Sequence, residues 1–269
     1  MKEKCIRTYT VSSALLLCAL LMCLVCASAD NVSNLDRRLR TIRYRERKDN
    51  TELAQLEMEC LNLIEDHNSP LEKGKIYSTM TYLYSDIGYG PDDDPNIAIK
   101  TFQYSMKALT YPLDPLTACY MYTRGSDAVV AQSWRNPEKS FLGIRGKAIE
   151  LCLKGLKIAL DNKAPKEYPQ YPKIDTSISS EREPSSERLT QIQTRQIEAH
   201  EKWLYKTELY SLQQGLFKRC LSLNSHPVYH GIFKTKARKI LKGHEETIEE
   251  LLDALDIQQT GENTKATQK

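Results

Sequence analysis

The spacing His226-x-x-x-His230 sets two imidazoles one helical turn apart, the arrangement by which a helix offers a metal two ligands on one face. Pro227 stands between them and Asn224 breaks the helical pattern before them, so that face is interrupted. No acidic third ligand lies at a useful distance, and no metal is expected. Asp92-Asp93-Asp94 supplies the carboxylate oxygens that hard cations prefer, yet three consecutive acids cannot all turn to one ion. The run reads as a solvated loop in which Asp94 caps the next helix. Glu198, Glu201 and Glu208 are acids of the kind that flank a scissile glycosidic bond, and equally the acids of an exposed helix face. The eleven glycines are scattered and build no phosphate-cradling loop, and no nucleophile elbow occurs. Neither a cofactor nor a catalytic residue is expected.

Cysteine chemistry is the remaining candidate. Four of the eight cysteines lie beyond residue 29: Cys60, Cys119, Cys152 and Cys220. None has metal-ligand spacing, and each sits in a helical pattern beside apolar neighbours, where a free thiol behaves as a small buried hydrophobe. An oxidising compartment would instead permit helix-to-helix disulfides, with three possible pairings. Both readings stand at this level.

The compartment is suggested by residues 1–29. Lys2, Lys4 and Arg7 give a basic start, Val11 to Cys26 is an apolar run, and Ala27-Ser28-Ala29 places small residues where a signal peptidase cuts. The run is short for a membrane span and the polar DNVSNLDRRLR comes directly after it. A cleaved secretory signal is predicted, and with it a secreted or periplasmic protein that meets a membrane only before cleavage. The other reading is an uncleaved anchor. Cleavage would leave 35 basic against 34 acidic side chains, so the formal +3 of the whole chain predicts no nucleic-acid partner. The one basic cluster, RRLRTIRYRERK at 37–48, falls in a segment 30–50 read as a solvated helix or flexible arm.

Proline placement divides the chain beyond residue 50. Asp114-Pro115 joins a side-chain oxygen that can accept from an orphan amide to a residue with no amide of its own, a strong helix start. Ser69-Pro70, Asp94-Pro95 and Asn136-Pro137 repeat it, whereas Pro112 ends the apolar stretch before it. Pro70 and Pro115 are 45 residues apart, and PLEKGKIY matches PLTACYMY at that offset. Pro115 and Pro165 are 50 apart, and AIKTFQYSMKAL (98–109) matches AIELCLKGLKIA (148–159) at that one. Such periods carrying two helices each indicate an array of helical hairpins. Apolar stripes at spacings of three and four support it: Leu53, Leu56, Cys60, Leu63 and Ile64; Ile76, Met80, Leu83 and Ile87; Ile99, Phe102, Met106 and Leu109; Ile149, Cys152, Leu156 and Leu160. No sustained polar-apolar alternation is present, so the fold class is all-α.

Residues 162–187 interrupt the pattern with four prolines, five serines and almost no aliphatic side chains, the composition of an extended surface loop or partly disordered insert. A long helix is predicted next, Glu187 to Leu223 within a segment 188–257, with Leu189, Ile192, Trp203, Tyr210, Phe217 and Leu221 along one side. A last helix at about 233–256 and a loose tail over 258–269 complete the chain.

Over residues 51–161 the chain resembles the tetratricopeptide repeat. That family's second helix carries Ala-Ile, an aromatic three residues on, then a small residue and an aliphatic. Here these are Ala98, Ile99, Phe102, Ser105 and Met106, and again Ala148, Ile149, Cys152, Gly155 and Leu156. Gly125 fits the small residue of the first helix. The gaps GYGPDDDPN and WRNPEKSFLGIRG are longer than the family's, and its first-helix tryptophan is absent. The resemblance implies an α-solenoid of antiparallel hairpins with a concave face lined by each first helix, which selects Tyr77, Thr81 and Tyr84, then Tyr122, Ser126 and Val129. It implies an exported, non-enzymatic scaffold that binds a protein, a peptide or an envelope component there. Two alternatives stand beside it: a secreted all-helical enzyme acting on polysaccharide through paired carboxylates, and a membrane-anchored structural or assembly factor.

Overall fold

The computed structural model describes residues 34–44, 50–88, 94–135, 141–172, 186–224 and 230–266. Residues 1–29, Asn136-Pro137 and His226 lie outside these, so the signal segment, one proposed helix start and the first histidine of the His226/His230 pair are not described. Among the described residues the chain is all-helical, with helices packed against their neighbours. They are α1 (34–44), α2 (Asn50–Asp66), α3 (Pro70–Ser85), α4 (Pro95–Ala108), α5 (Pro115–Arg135), α6 (Phe141–Asp161), α7 (Ser186–Leu223), α8 (His230–Ile240) and α9 (Glu245–Ala266).

The chain divides into two compact units, Met1–Glu59 and Cys60–Lys269. The division falls inside α2. In the first unit the basic segment is helical over 34–44, with Leu35, Leu39 and Ile42 buried at spacings of four and three. Arg37, Arg38 and Arg40 are exposed on the other side. Of the two readings of this segment, solvated helix or flexible arm, residues 34–44 are helical, with an apolar face of their own.

In the second unit consecutive helices from α3 to α7 pack on one another, with further contacts of α3 on α5, α5 on α7 and α6 on α8. The predicted helix starts are visible in detail. Asp94 accepts from the Asn96 amide at 2.9 Å, and Asp114 from the Thr117 amide at 3.0 Å, each beside a first-turn proline. Ser69 precedes Pro70 but makes no side-chain cap; its carbonyl takes the Lys73 amide at 3.0 Å instead.

Close approach sets the packing of these helices. A Cβ on Gly125 would meet Ser105 Oγ at 2.8 Å and Met106 Cε at 3.0 Å, which puts α5 directly on α4. A Cβ on Gly155 would meet Tyr122 Cβ at 3.0 Å and Leu216 Cδ1 at 3.2 Å, so α5, α6 and α7 converge there. The buried face of α4 is correspondingly small: Ile97, Ala98, Thr101, Ser105 and Ala108. The stripe predicted for it is rotated away from that face. Ile99 is 40% exposed, and Phe102, Met106 and Leu109 are half-buried. The hydroxyls left inside fold back onto their own helices, Ser78 on the Gly74 carbonyl, Thr81 on Tyr77 and Thr101 on Ile97, at 2.8 to 3.0 Å.

The main core lies further along the chain. Ile149, Cys152, Leu153 and Leu156 of α6 pack with Leu209, Leu216 and Cys220 of α7, Phe233 of α8, and Leu251 and Leu255 of α9. Helices α5 and α6 and the C-terminal helices thus share one core. On α7 the buried line is Leu209, Leu212, Leu216, Cys220 and Leu223, while Trp203, Tyr210, Phe217 and Leu221 of the predicted side are only half-buried. The aliphatic residues keep the three-and-four spacing and claim the core; the aromatics sit beside it. Residues 162–172 of the predicted loop are non-helical and bound to α7: Trp203 Nε1 donates to the Pro169 carbonyl at 3.0 Å, and the Tyr171 ring lies 5.0 Å from that of Trp203.

One predicted helix is two. Gly243 adopts φ +94°, a conformation that a side chain opposes, and its amide is taken by Glu245 Oε1 at 3.0 Å. This ends α8 and starts α9, which continues to Ala266, past the point where a loose tail was expected.

Candidate functional site

Along the α3–α4 contact four tyrosines form a ladder. Tyr77 and Tyr84 stand two helical turns apart on α3, Tyr104 comes from α4, and Tyr111 from the turn after it. The Tyr84 and Tyr104 ring centroids are 5.8 Å apart, those of Tyr104 and Tyr77 6.3 Å, and those of Tyr77 and Tyr111 5.7 Å, the last pair nearly parallel at 12°. These are the spacings of offset aromatic pairs.

Two lysines of α4 complete it. Lys100 Nζ donates to Tyr84 Oη at 2.9 Å and lies 5.0 Å from that ring's centre. Lys107 Nζ lies 5.9 Å from the centres of both Tyr77 and Tyr111. An ammonium over a ring face is held by the negative π cloud. Burial, together with the neighbouring Tyr111 phenol, raises the Tyr77 hydroxyl above the usual tyrosine range, so it stays protonated and able to donate.

Backbone geometry positions the lower end. A Cβ on Gly74 would lie 2.9 Å from Leu113 Cδ2, 3.1 Å from Tyr111 Cβ and 3.3 Å from the Pro112 carbonyl oxygen. Glycine at 74 is what lets the α4–α5 turn settle on the first turns of α3 and bring Tyr111 against Tyr77. Behind the ladder, Tyr82 meets Tyr120 edge-on at 6.3 Å and packs with Ala108 and Met121.

The six residues selected from the sequence are divided between two places. Tyr77 and Tyr84 are in the ladder, Tyr77 half-buried and Tyr84 buried. Thr81 lies fully buried between them, its hydroxyl on the Tyr77 carbonyl. Tyr122 is half-buried and faces Gly155 on α6. Ser126 is buried, with Oγ 3.2 Å from the Ala148 carbonyl and 3.1 Å from Cys152 Sγ. Val129 belongs to the main core. Sequence reasoning missed Tyr104, Tyr111, Lys100 and Lys107. Their spacing of four, three and four residues was the available signal, one helical face alternating ammonium and phenol.

A cavity of about 430 Å³ lies at the start of α9, and its lining includes Lys166, Gln213, His244, Glu245, Glu246 and Glu250. Lys166 Nζ bonds both Glu246 oxygens at 2.6 Å, and Glu245 is held by the Gly243 amide, which keeps its carboxyl below the usual range. Beside it His244 Nε2 lies 2.7 Å from Asp161 Oδ1, lowering the aspartate further. Two of its three acids are thus engaged in ion pairing or capping. Glu198, Glu201 and Glu208 are all exposed on α7. Among the described residues no group of three or more His, Cys, Asp or Glu side chains is placed to hold a metal ion. Nor is any helix among them long and apolar enough to cross a membrane.

Comparison with known proteins finds no matching family model, no matching curated protein and no matching solved structure.

Proposed function

We propose that this chain is an exported, non-enzymatic helical-repeat scaffold of the tetratricopeptide-like kind, and that a protein or peptide partner, or an envelope component, docks along the α3–α4 ring ladder. The repeat reading is supported by helices packed in chain order and by contacts without a side chain at Gly125 and Gly155, positions where the family's motif keeps small residues. Export is supported by the pattern of residues 1–29.

The observation that carries the binding reading is the ladder itself: the half-buried phenols of Tyr77, Tyr104 and Tyr111 beside the buried Tyr84, with ammonium groups on ring faces. Stacked rings offer flat apolar area that is already ordered, so contact with them loses little side-chain entropy. Lysines at the same edge favour carboxylates. An extended segment that alternates acidic and flat apolar side chains fits this chemistry best.

The test is capture of partners from an extracytoplasmic extract, followed by titration of the captured species. Tyr77→Ala with Tyr111→Ala is expected to weaken binding about tenfold or more while far-ultraviolet circular dichroism stays unchanged. Unchanged affinity would remove the ladder as the site, and loss of the helical signal would assign the rings to the fold. Export is checked separately by N-terminal sequencing of the released protein, for which a start at Asp30 is expected.

A further inference from the structure

We propose that Cys152 and Cys220 close into a disulfide that joins α6 to α7. Their register is set by the contacts around them. Gly155 of α6 faces Leu216 of α7, whose methyl carbons would lie 3.2 and 3.3 Å from a Cβ on the glycine. Leu160, further along α6, lines one cavity with Gln213, earlier on α7. Numbers rise along one helix as they fall along the other, so the two run antiparallel. One turn back from Gly155 is Cys152, and one turn on from Leu216 is Cys220.

Helix α5 marks the same level independently. Ser126 Oγ is 3.1 Å from Cys152 Sγ, and the adjacent Asp127 pairs with Arg219, the residue before Cys220. Both thiols are fully buried and belong to one core cluster. Donation to Cys152, reinforced by burial, pushes the Cys220 thiol well above its ordinary range, as expected of two sulfurs in contact.

The other pairings are opposed by distance and place. Cys119 Sγ donates to the Gly155 carbonyl at 3.3 Å and sits seven residues before Ser126 on α5. That is about 10 Å along a helix, whereas a disulfide joins Cα atoms roughly 4.4 to 6.8 Å apart. Cys60 is not a member of the cluster.

The oxidant is a low-molecular-weight disulfide, for which oxidised glutathione is the probe. One cysteine thiolate attacks a glutathione sulfur and releases one reduced glutathione. The second thiolate attacks the mixed disulfide, forms the Sγ–Sγ bond and releases the other. The two electrons pass to glutathione, and the two protons end on its thiols. In the folded chain both sulfurs are shielded, so the exchange belongs to the interval before α7 docks or to local opening of that helix.

The experiment refolds the full chain from urea with oxidised glutathione, alkylates it and digests it with trypsin. In parallel, folded reduced protein is held with the same oxidant a few degrees below its unfolding midpoint, so the result does not depend on refolding yield. Mass spectrometry is expected to find AIELCLK (148–154) linked to CLSLNSHPVYHGIFK (220–234) as the main cross-link. The oxidised form should melt about 5 to 10 °C above the reduced one, and Cys220→Ser should abolish that difference. Linkage of either cysteine to Cys60 or Cys119, arrest at the glutathione adduct, or recovery of both as alkylated thiols in both arms would overturn the proposal.

Discussion

Two regions of the second unit bury their side chains by different means. In α3 and α4 the interior sets Ile76, Met80, Leu83 and Ile97 beside Ser78, Thr79, Thr81, Ser85, Thr101 and Ser105, small residues whose hydroxyls bond carbonyls of their own helix. In α6 to α9 it is built mainly from leucines, with Ile149, Ile248, three alanines, Cys152, Cys220 and Phe233. The first region gains close backbone approach and many weak dispersion contacts. The second gains apolar area removed from water, about 25 cal/mol for each Å². A hydroxyl bonded within its helix asks nothing of the neighbouring helix, so the first region can pack tightly without a polar network that crosses it.

The contrast is sharpened by truncation. Leu153→Ala, in the fully buried part of α6, is expected to cost about 3 kcal/mol, because it removes methyl groups and leaves a cavity between helices that cannot collapse. Urea unfolding monitored by circular dichroism measures it. Gly125→Ala tests the other region by filling it, since the new methyl lies 2.8 Å from Ser105 Oγ. A loss of about 1 to 3 kcal/mol is expected, part of it recovered when Ser105→Ala is added, so the two changes are non-additive. Thr81→Val should be the mildest, within about 1 kcal/mol of the parent. It keeps the shape, and the Tyr77 carbonyl that loses the hydroxyl remains the acceptor of a helical amide. A loss from Thr81→Val as large as that from Leu153→Ala would break the comparison, because the buried hydroxyls would then bond across helices.

The same contrast governs what was legible in the sequence. Helix starts at Asp94-Pro95 and Asp114-Pro115 were readable because capping is local chemistry. The stripe of α6 was readable because its burial tracks apolar spacing, and Ile149, Cys152 and Leu156 are fully buried. The face of α4 was not. Apart from Ile97, its large side chains lie at the edge and its small ones inside, the reverse of what periodicity rewards, because backbone proximity at Gly125 decided the orientation. The break at Gly243 was hidden inside a good apolar pattern, since the signal was one residue's backbone freedom. Of the site, Tyr77 and Tyr84 were found by mapping a repeat. Tyr104, Tyr111 and the two lysines come from the second helix and its exit turn, which that mapping did not address.

The order in which helices meet also has a kinetic meaning. From α3 to α6 consecutive helices pack on one another, so the closing loops between them are short and cost little configurational freedom. Topologies of this kind cross low barriers and assemble in micro- to milliseconds. Helix α7 is the exception, because a stretch of more than twenty residues separates it from α6. Its arrival is the expected slow step, and the speed of that step sets how long the aliphatic faces of α6 and α8 stay open to other molecules.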